Sequence, residues 1–371
     1  MGKSDQFNQY SGKSFKSFIP IPPSSQPVAL ASRLFTSFAK TLLGQVFYTC
    51  LIGFLAALGL SIRFLANPQK FLAPVNRDHL RGKLEDPALG KHLYLKTGEA
   101  GTVIHAVSLG PEGAPLLVFI HGFPQFWYSW KNDMAVFAQQ GFRCVAIDLR
   151  GYGDSERPTS VDSYSLDNLA ADVNGVIKAL GYERAAAVVA HDWGAIVGYA
   201  FAAKYPESLE RLIIMNGPHP VAFKKQIFTF PQIIKSCYVF FFQLPFLPEL
   251  VFSHADFMLL NTVFTGFGGN QVVSKDDLEL YKYSLSKPGA ITSAINYYRA
   301  LVQSSLRWIG KIQVPTLVIW GMNDLFLNPA INDELSNYIE QFELKPIPNC
   351  SHWTAAERPA EVHNLMKDFL A

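Results

Sequence analysis

Nowhere in its 371 residues does the chain carry a Gly-x-Ser-x-Gly turn, and no two of its four cysteines form a Cys-x-x-Cys pair. The first absence argues against a serine esterase built on a nucleophile elbow. The second leaves zinc ligation and a disulfide framework without support, so Cys50, Cys144, Cys237 and Cys350 read as free thiols of a reducing compartment. Charge is scarce too. Lys and Arg together number 32 against 30 for Asp and Glu, and charged residues make up 17% of the chain. Such a balance gives no electrostatic footprint for nucleic acid or another polyanion. With 49% hydrophobic residues the chain is also too apolar for disorder, and ample for a large core. No internal repeat is evident.

One apolar stretch stands apart. Residues 41–62, "TLLGQVFYTCLIGFLAALGLSI", hold no charge and are bracketed by Lys40 and Arg63. As a helix rising about 1.5 Å per residue the stretch reaches roughly 33 Å, enough to cross a hydrocarbon core of about 30 Å. It starts too far from Met1 and runs too long for a cleaved signal peptide. A buried helix of a soluble domain is the competing reading, but such helices usually keep a polar face. The expectation is a transmembrane signal-anchor helix. Arg63, Lys70, Arg77, Arg81 and Lys83 follow it, whereas only Arg33 and Lys40 closely precede it. That asymmetry points to a cytosolic C-terminal portion, Lys3, Lys13 and Lys16 voting the other way. Residues 1–40, rich in Ser, Pro and Gln ("IPIPPSSQPVAL"), read as a flexible tail, and 63–90 as a connector.

Beyond the connector, strands and helices alternate. Strands are expected at 92–97, 102–109, 115–122, 143–149, 185–192, 211–216 and 315–321, several as continuous apolar runs, the mark of strands covered on both faces. Leu166, Leu169, Val173, Val176, Ile177 and Leu180 share one helical face, with Gly181 as the stop signal. "AIVGYAFAAKY" after Gly194 reads as a helix whose small residues allow close packing on a sheet. The alternation predicts a doubly wound α/β fold, with its core formed by 91–217 and 313–371. Residues 218–312 lose the rhythm and are crowded with aromatics. They are expected to form a helical cap over the carboxyl ends of the strands, where such sheets bind ligands.

The stretch "VVAHDWGAIVG" (188–198) sets Asp192 between two apolar runs, with Ala190 two residues before and Gly194 two after. Small-x-nucleophile-x-small is the pattern of a tight strand-to-helix turn that lifts one side chain above the sheet. A plain helix N-cap fits the same residues, and this stretch alone does not choose. Asp324 in "WGMND" (320–324), after an apolar strand, and His352 in "NCSHW" (349–353), after the short strand "LKPIP", complete the order Asp, Asp, His. Separately they read as a turn former and a satisfied histidine; together they suggest a nucleophile, an orienting acid and a base. In "HGFPQFWYSW" (121–130) the backbone N–H of Phe123, with that of Trp193, is placed to form an oxyanion hole. His121 and His191 flank these turns and read as structural, since neither occupies a base position.

Together "HGFP", "DLRGYGDSERP" (148–158), "HDWGA" (191–195), "WGMND" and "NCSHW" resemble the epoxide hydrolases of the α/β-hydrolase family over about residues 92–371. With the apolar N-terminal segment, the chain looks most like the membrane-anchored animal epoxide hydrolase 3 and 4 group. The resemblance implies an α/β-hydrolase fold, a mostly parallel sheet with helices on both faces and a helical cap. It also implies two cap tyrosines that activate the epoxide oxygen. The matching positions are Tyr298 in "NYYR" and Tyr238 in "CYVFFFQLP", with Tyr297 a neighbouring competitor and core packing the bland alternative for all three. Ala190 and Ala195 stand where many relatives carry Gly.

The implied chemistry suits the residue types. An epoxide carbon is saturated, so a carboxylate opens the ring in line and forms an ester. A phenol donates a proton to the leaving oxygen, and His352, oriented by Asp324, activates the water that frees the diol. The expected substrate is a lipid epoxide, such as a fatty-acid epoxide, with no cofactor or metal and with residues 41–62 in a membrane, expected to be that of the endoplasmic reticulum. Haloalkane and fluoroacetate dehalogenases share the Asp nucleophile. The former commonly place Asn or Trp where Phe123 stands, and the latter typically follow the nucleophile with Arg where this chain has Trp193. A non-catalytic lipid-binding scaffold is a more remote alternative, and it would be marked by loss of a triad member.

Overall fold

The computed structural model describes residues 37, 41–72, 75–98, 101–303 and 311–371. The expected flexible tail at 1–40 lies, apart from Ser37, outside the described residues. The apolar segment forms helix α1 (Leu42–Ala66), started by the Thr41 side chain, which accepts from the Gly44 N–H. Its span Gly44–Ala66 is long and apolar enough to cross a membrane, and only 11% of its most apolar window is buried. Such a helix fits a membrane anchor. One side rests on the aromatic helices: Tyr48 meets Phe240 edge to face, and Gly53 lies against Leu244 and Leu247.

Eight strands make one sheet: β1 (Lys91–Thr97), β2 (Thr102–Leu109), β3 (Leu116–Ile120), β4 (Arg143–Ile147), β5 (Ala187–His191), β6 (Leu212–Met215), β7 (Thr316–Gly321) and β8 (Phe342–Ile347). Their spatial order is β1-β2-β4-β3-β5-β6-β7-β8. β1, β2 and β4 pair antiparallel in turn, and every pair from β4 to β8 is parallel. The strands β3 to β7 are buried at every position, as their unbroken apolar runs require. Several of the expected strands end sooner than the apolar runs suggest. His121 and Gly122, Asp148 and Leu149, and Asp192 leave the ladder at its carboxyl edge, and those are the residues around the site.

Helices α2 (Lys131–Ala138), α3 (Leu166–Ala179), α4 (Trp193–Lys204) and, near the end of the chain, α12 (Pro359–Leu370) accompany the sheet. In α3 the face Leu169, Val173, Val176 and Ile177 is buried, while Leu166 and Leu180 at its ends are only half-buried; Gly181, at φ +85°, turns the chain out. Between β6 and β7 run α5 (Pro220–Gln226), α6 (Phe230–Lys235), α7 (Cys237–Phe241), α8 (Leu247–Phe257), α9 (Leu259–Val263), α10 (Lys275–Ser286) and α11 (Ala290–Gln303). A buried guanidinium joins the connector to this layer, Arg77 meeting Asp256 at 2.5 Å and Glu279 at 2.9 Å. All four cysteines carry free thiols.

Candidate active site

Strand β5 ends at His191, and Asp192 takes φ +51° and ψ −118° before α4 begins. A left-handed backbone is costly for a residue with a β-carbon, and such strain concentrates at functional sites. The geometry removes the plain N-cap from the readings that the stretch left open. The Asp192 side chain makes no capping bond to α4. Its Oδ1 instead accepts from the backbone N–H of Phe123 at 2.7 Å, and its Oδ2 lies 3.4 Å from His352 Nε2. Two glycines make room for it. A β-carbon on Gly122 would run into the Asp192 side chain, and one on Gly194 into the carbonyls of Ile120 and His121. Trp193 opens α4, so its N–H belongs to the helix's unsatisfied first turn and stands next to the carboxylate.

His352 is buried in the loop after β8, its Nδ1 2.8 Å from Asp324 Oδ2. Asp324 follows β7 and is buried, yet its carboxyl is held below the ordinary range: burial disfavours the charge, but His352, Asn216 and backbone donors outweigh it. The N–H groups of Phe326 and Leu327 both donate to its Oδ1, at 2.7 and 3.0 Å. His352 is pushed the other way. Burial opposes its charged form, but Asp324 and Asp192 raise its pKa to about 10, so it rests as an imidazolium between two carboxylates.

Tyr238 on α7 and Tyr298 on α11 face this group. Their rings meet edge to face at 5.7 Å, and Tyr298 packs at right angles on Trp193 and Phe123. Burial, then neighbouring groups that include Asp192, push both phenols well above their usual value. Both therefore stay protonated far beyond neutrality. Tyr297 points elsewhere, donating to the carbonyl of Arg150 at 2.7 Å. His121 is locked in the sheet edge, its Nδ1 donating to the Gly122 carbonyl and its Nε2 accepting from the Leu149 N–H. "DLRGYGDSERP" has a structural part. Its Asp148 carboxylate gathers His105 and the backbone N–H groups of Trp127 and Asp154.

A sequence model of the α/β-hydrolase fold matches residues 115–359. Human epoxide hydrolase 4 is 38% identical over 310 residues, covering 81% of this chain and 84% of that protein. Epoxide hydrolase 3 of Xenopus tropicalis is 39% identical, with 77% and 80% covered. Among solved structures, an epoxide hydrolase of Bacillus megaterium in complex with an inhibitor superposes with a TM-score of 0.66 at 31% identity, over 76% of this chain and 99% of that one. The chain belongs to the α/β-hydrolase family, in its epoxide-hydrolase branch.

In this α/β-hydrolase the sequence reading overlooked Asn216. It directly follows β6 at φ +37°, fully buried, and its Nδ2 donates to Asp324 Oδ2 at 2.8 Å. Its Oδ1 accepts from the Gly321 N–H at 2.9 Å and from the Thr354 hydroxyl. One amide thus ties β6, β7 and the His352 loop together. An Asn in "MNGP" directly after an apolar strand, where αL is tolerated, was the available signal. Lys235, donating to the Asp324 carbonyl from α6, carried none.

Proposed function

We propose that this protein opens lipid epoxides, fatty-acid epoxides above all, to vicinal diols through a covalent ester on Asp192. The observation that carries the reading is a carboxylate with one oxygen committed to a backbone N–H and the other 3.4 Å from the His352 ring, facing two protonated phenols. Oδ2 attacks a ring carbon and the carbon–oxygen bond of the epoxide breaks. Tyr298, assisted by Tyr238, gives its proton to the leaving oxygen. Alkylation removes the negative charge of Asp192, one of the two charges that hold the proton on His352. The imidazolium then loses its proton, which returns to the phenolate. Neutral His352, oriented by Asp324, takes a proton from water, and the hydroxide adds to the ester carbonyl. The N–H groups of Phe123 and Trp193 receive the oxyanion. On collapse the departing oxygen takes the proton from His352, the diol leaves, and the new Asp192 carboxylic acid returns a proton to His352.

The relatives' names support the epoxide as substrate, and the paired phenols favour it over a carbon–halogen bond. The aromatic walls around Tyr298, Phe123, Phe242 and Phe252 among them, suit an apolar chain. We place the protein in the endoplasmic reticulum membrane, spanning once through residues 41–62, with the catalytic portion in the cytosol. The membrane, rather than any cofactor or metal, is then its standing partner. Protease added to sealed microsomes would digest the catalytic portion in that topology and spare it in the opposite one. A single turnover in H₂¹⁸O tests the chemistry. The diol is expected unlabelled, with the label in the Asp192 carboxylate; labelled diol would refute covalent catalysis.

A further inference from the structure

His191 lies directly before the nucleophile, yet its ring reaches the other loop of the site. Its Nε2 stands 2.9 Å from the backbone carbonyl of His352, and its ring centroid 4.7 Å from that of His352 and 5.6 Å from that of Trp353. Burial, and after it the charge on His352, push its pKa down to about 4, so it is neutral and has one N–H to give. A carbonyl only accepts. The proton is therefore on Nε2, and Nδ1 is an acceptor.

That fixes the neighbour as well. The Gln125 Oε1 lies 3.1 Å from Nδ1, which would set two acceptors face to face, so we assign the amide the flipped orientation, with its NH₂ group turned to the imidazole. Gln125 is also in hydrogen-bonding reach of Tyr281, and the same flip turns its oxygen toward that phenol. Tyr281 is buried on α10, against Phe126 and Phe264. With the amide so assigned, every donor in this row has its acceptor: the Tyr281 O–H to Gln125, the Gln125 N–H to His191, the His191 N–H to the carbonyl of His352. The row runs one way, from a helix between β6 and β7 to the backbone of the base.

We propose that His191 is a positioning residue for the second half of the reaction, holding the His352 backbone so that Nε2 faces the water that hydrolyses the Asp192 ester. Gln125 and Tyr281 hold His191 in the tautomer this needs. The first half does not use His352 as a base, because Asp192 attacks and a phenol donates. Loss of the His191 donor therefore slows ester hydrolysis and spares ester formation. This rests on the covalent mechanism proposed above.

The test is single-turnover kinetics of full-length protein in detergent with 9,10-epoxystearate, following diol by chromatography and the mass of the Asp192 peptide. For His191→Phe, ester formation is expected within about twofold of wild type and hydrolysis slower by ~10-fold or more, so the ester accumulates. His191→Gln, whose amide N–H reaches the same carbonyl, restores most of the hydrolysis rate. Gln125→Leu shifts the same step in the same direction by a smaller factor, and carries the test if His191→Phe does not fold. Equal slowing of both steps, or no change in either, would overturn the assignment. Wild-type protein that makes diol without ever adding mass at Asp192 would overturn instead the covalent reading beneath it.

Discussion

The carboxylate half of the site and its phenol half are built from different kinds of chain. Asp192, Asp324 and His352 stand on turns at the carboxyl ends of β5, β7 and β8, and directional hydrogen bonds fix each of them. Asp324 alone receives Asn216, His352 and two backbone N–H groups. Tyr238 and Tyr298 come from helices instead, and rings surround them: Phe242, Trp193, Phe123 and each other. Under the proposed mechanism the difference follows from what each half would do. Attack on carbon and proton abstraction from water depend steeply on distance and angle, and hydrogen bonds supply that geometry. A phenol that must meet the oxygen of a bulky apolar substrate is served by a packed aromatic wall, which shapes a pocket without adding charge.

Removal of the proposed nucleophile should separate the halves most sharply. Asp192→Ala is expected to abolish turnover, by ~10⁴-fold or more, with no covalent adduct in intact-protein mass spectrometry. His352→Gln should lower steady-state turnover by roughly 10³-fold while the ester accumulates, since only the second half needs the base. On the aromatic side, Tyr298→Phe should cost about 10- to 100-fold in ester formation, and Tyr238→Phe less. Tyr297→Phe, beside it, should leave ester formation nearly unchanged and cost about 1 kcal/mol of stability through the lost bond to the Arg150 carbonyl, measured by urea unfolding. A Tyr297→Phe variant with the larger defect in ester formation would exchange the roles of the two tyrosines.

Proton linkage sharpens the comparison further. His352 has a folded pKa raised to about 10, so the stability it contributes is complete below its unfolded value of about 6.5 and is lost as pH rises through 10. The wild-type melting temperature is expected to fall between pH 7 and pH 10, and the His352→Gln variant to lose that fall. Asp324, held low, acts at the other end, its contribution disappearing on acidification below the ordinary carboxylate range. The smallest effect is expected from the join between connector and helical layer. Arg77 is buried but its partners are about a third exposed, so Arg77→Met should cost about 1 kcal/mol. Limited proteolysis should then cut first between β6 and β7 and leave the sheet intact.

Much of the sheet half was legible in the chain. Continuous apolar runs bounded by Gly and Pro declared β3, β5, β6 and β7, and the order Asp192, Asp324, His352 at strand ends picked out three side chains that the structure brings together. Those signals are local, carried by neighbouring residues. Asn216 and Gln125 were not legible. Asn216 meets Asp324 across 108 residues, and Gln125 meets His191 across 66, so no short window holds both ends of either bond. The choice between Tyr297 and Tyr298, which the resemblance made in favour of Tyr298, was hidden from the residue pattern itself for another reason. Adjacent residues on a helix point about 100° apart, and which of them faces the carboxylate depends on how α11 is rotated against the sheet.

The sequence by itself determined the alternation of strand and helix, the apolar N-terminal helix and the residue types gathered at the elbow, because periodicity and turn chemistry act over a few residues. Only the tertiary structure decided that the Asp192 carboxylate leaves its helix uncapped to meet Phe123 and His352, and that His191 serves the opposite loop. Those are contacts between distant segments, and they exist only once the sheet has brought its carboxyl ends together.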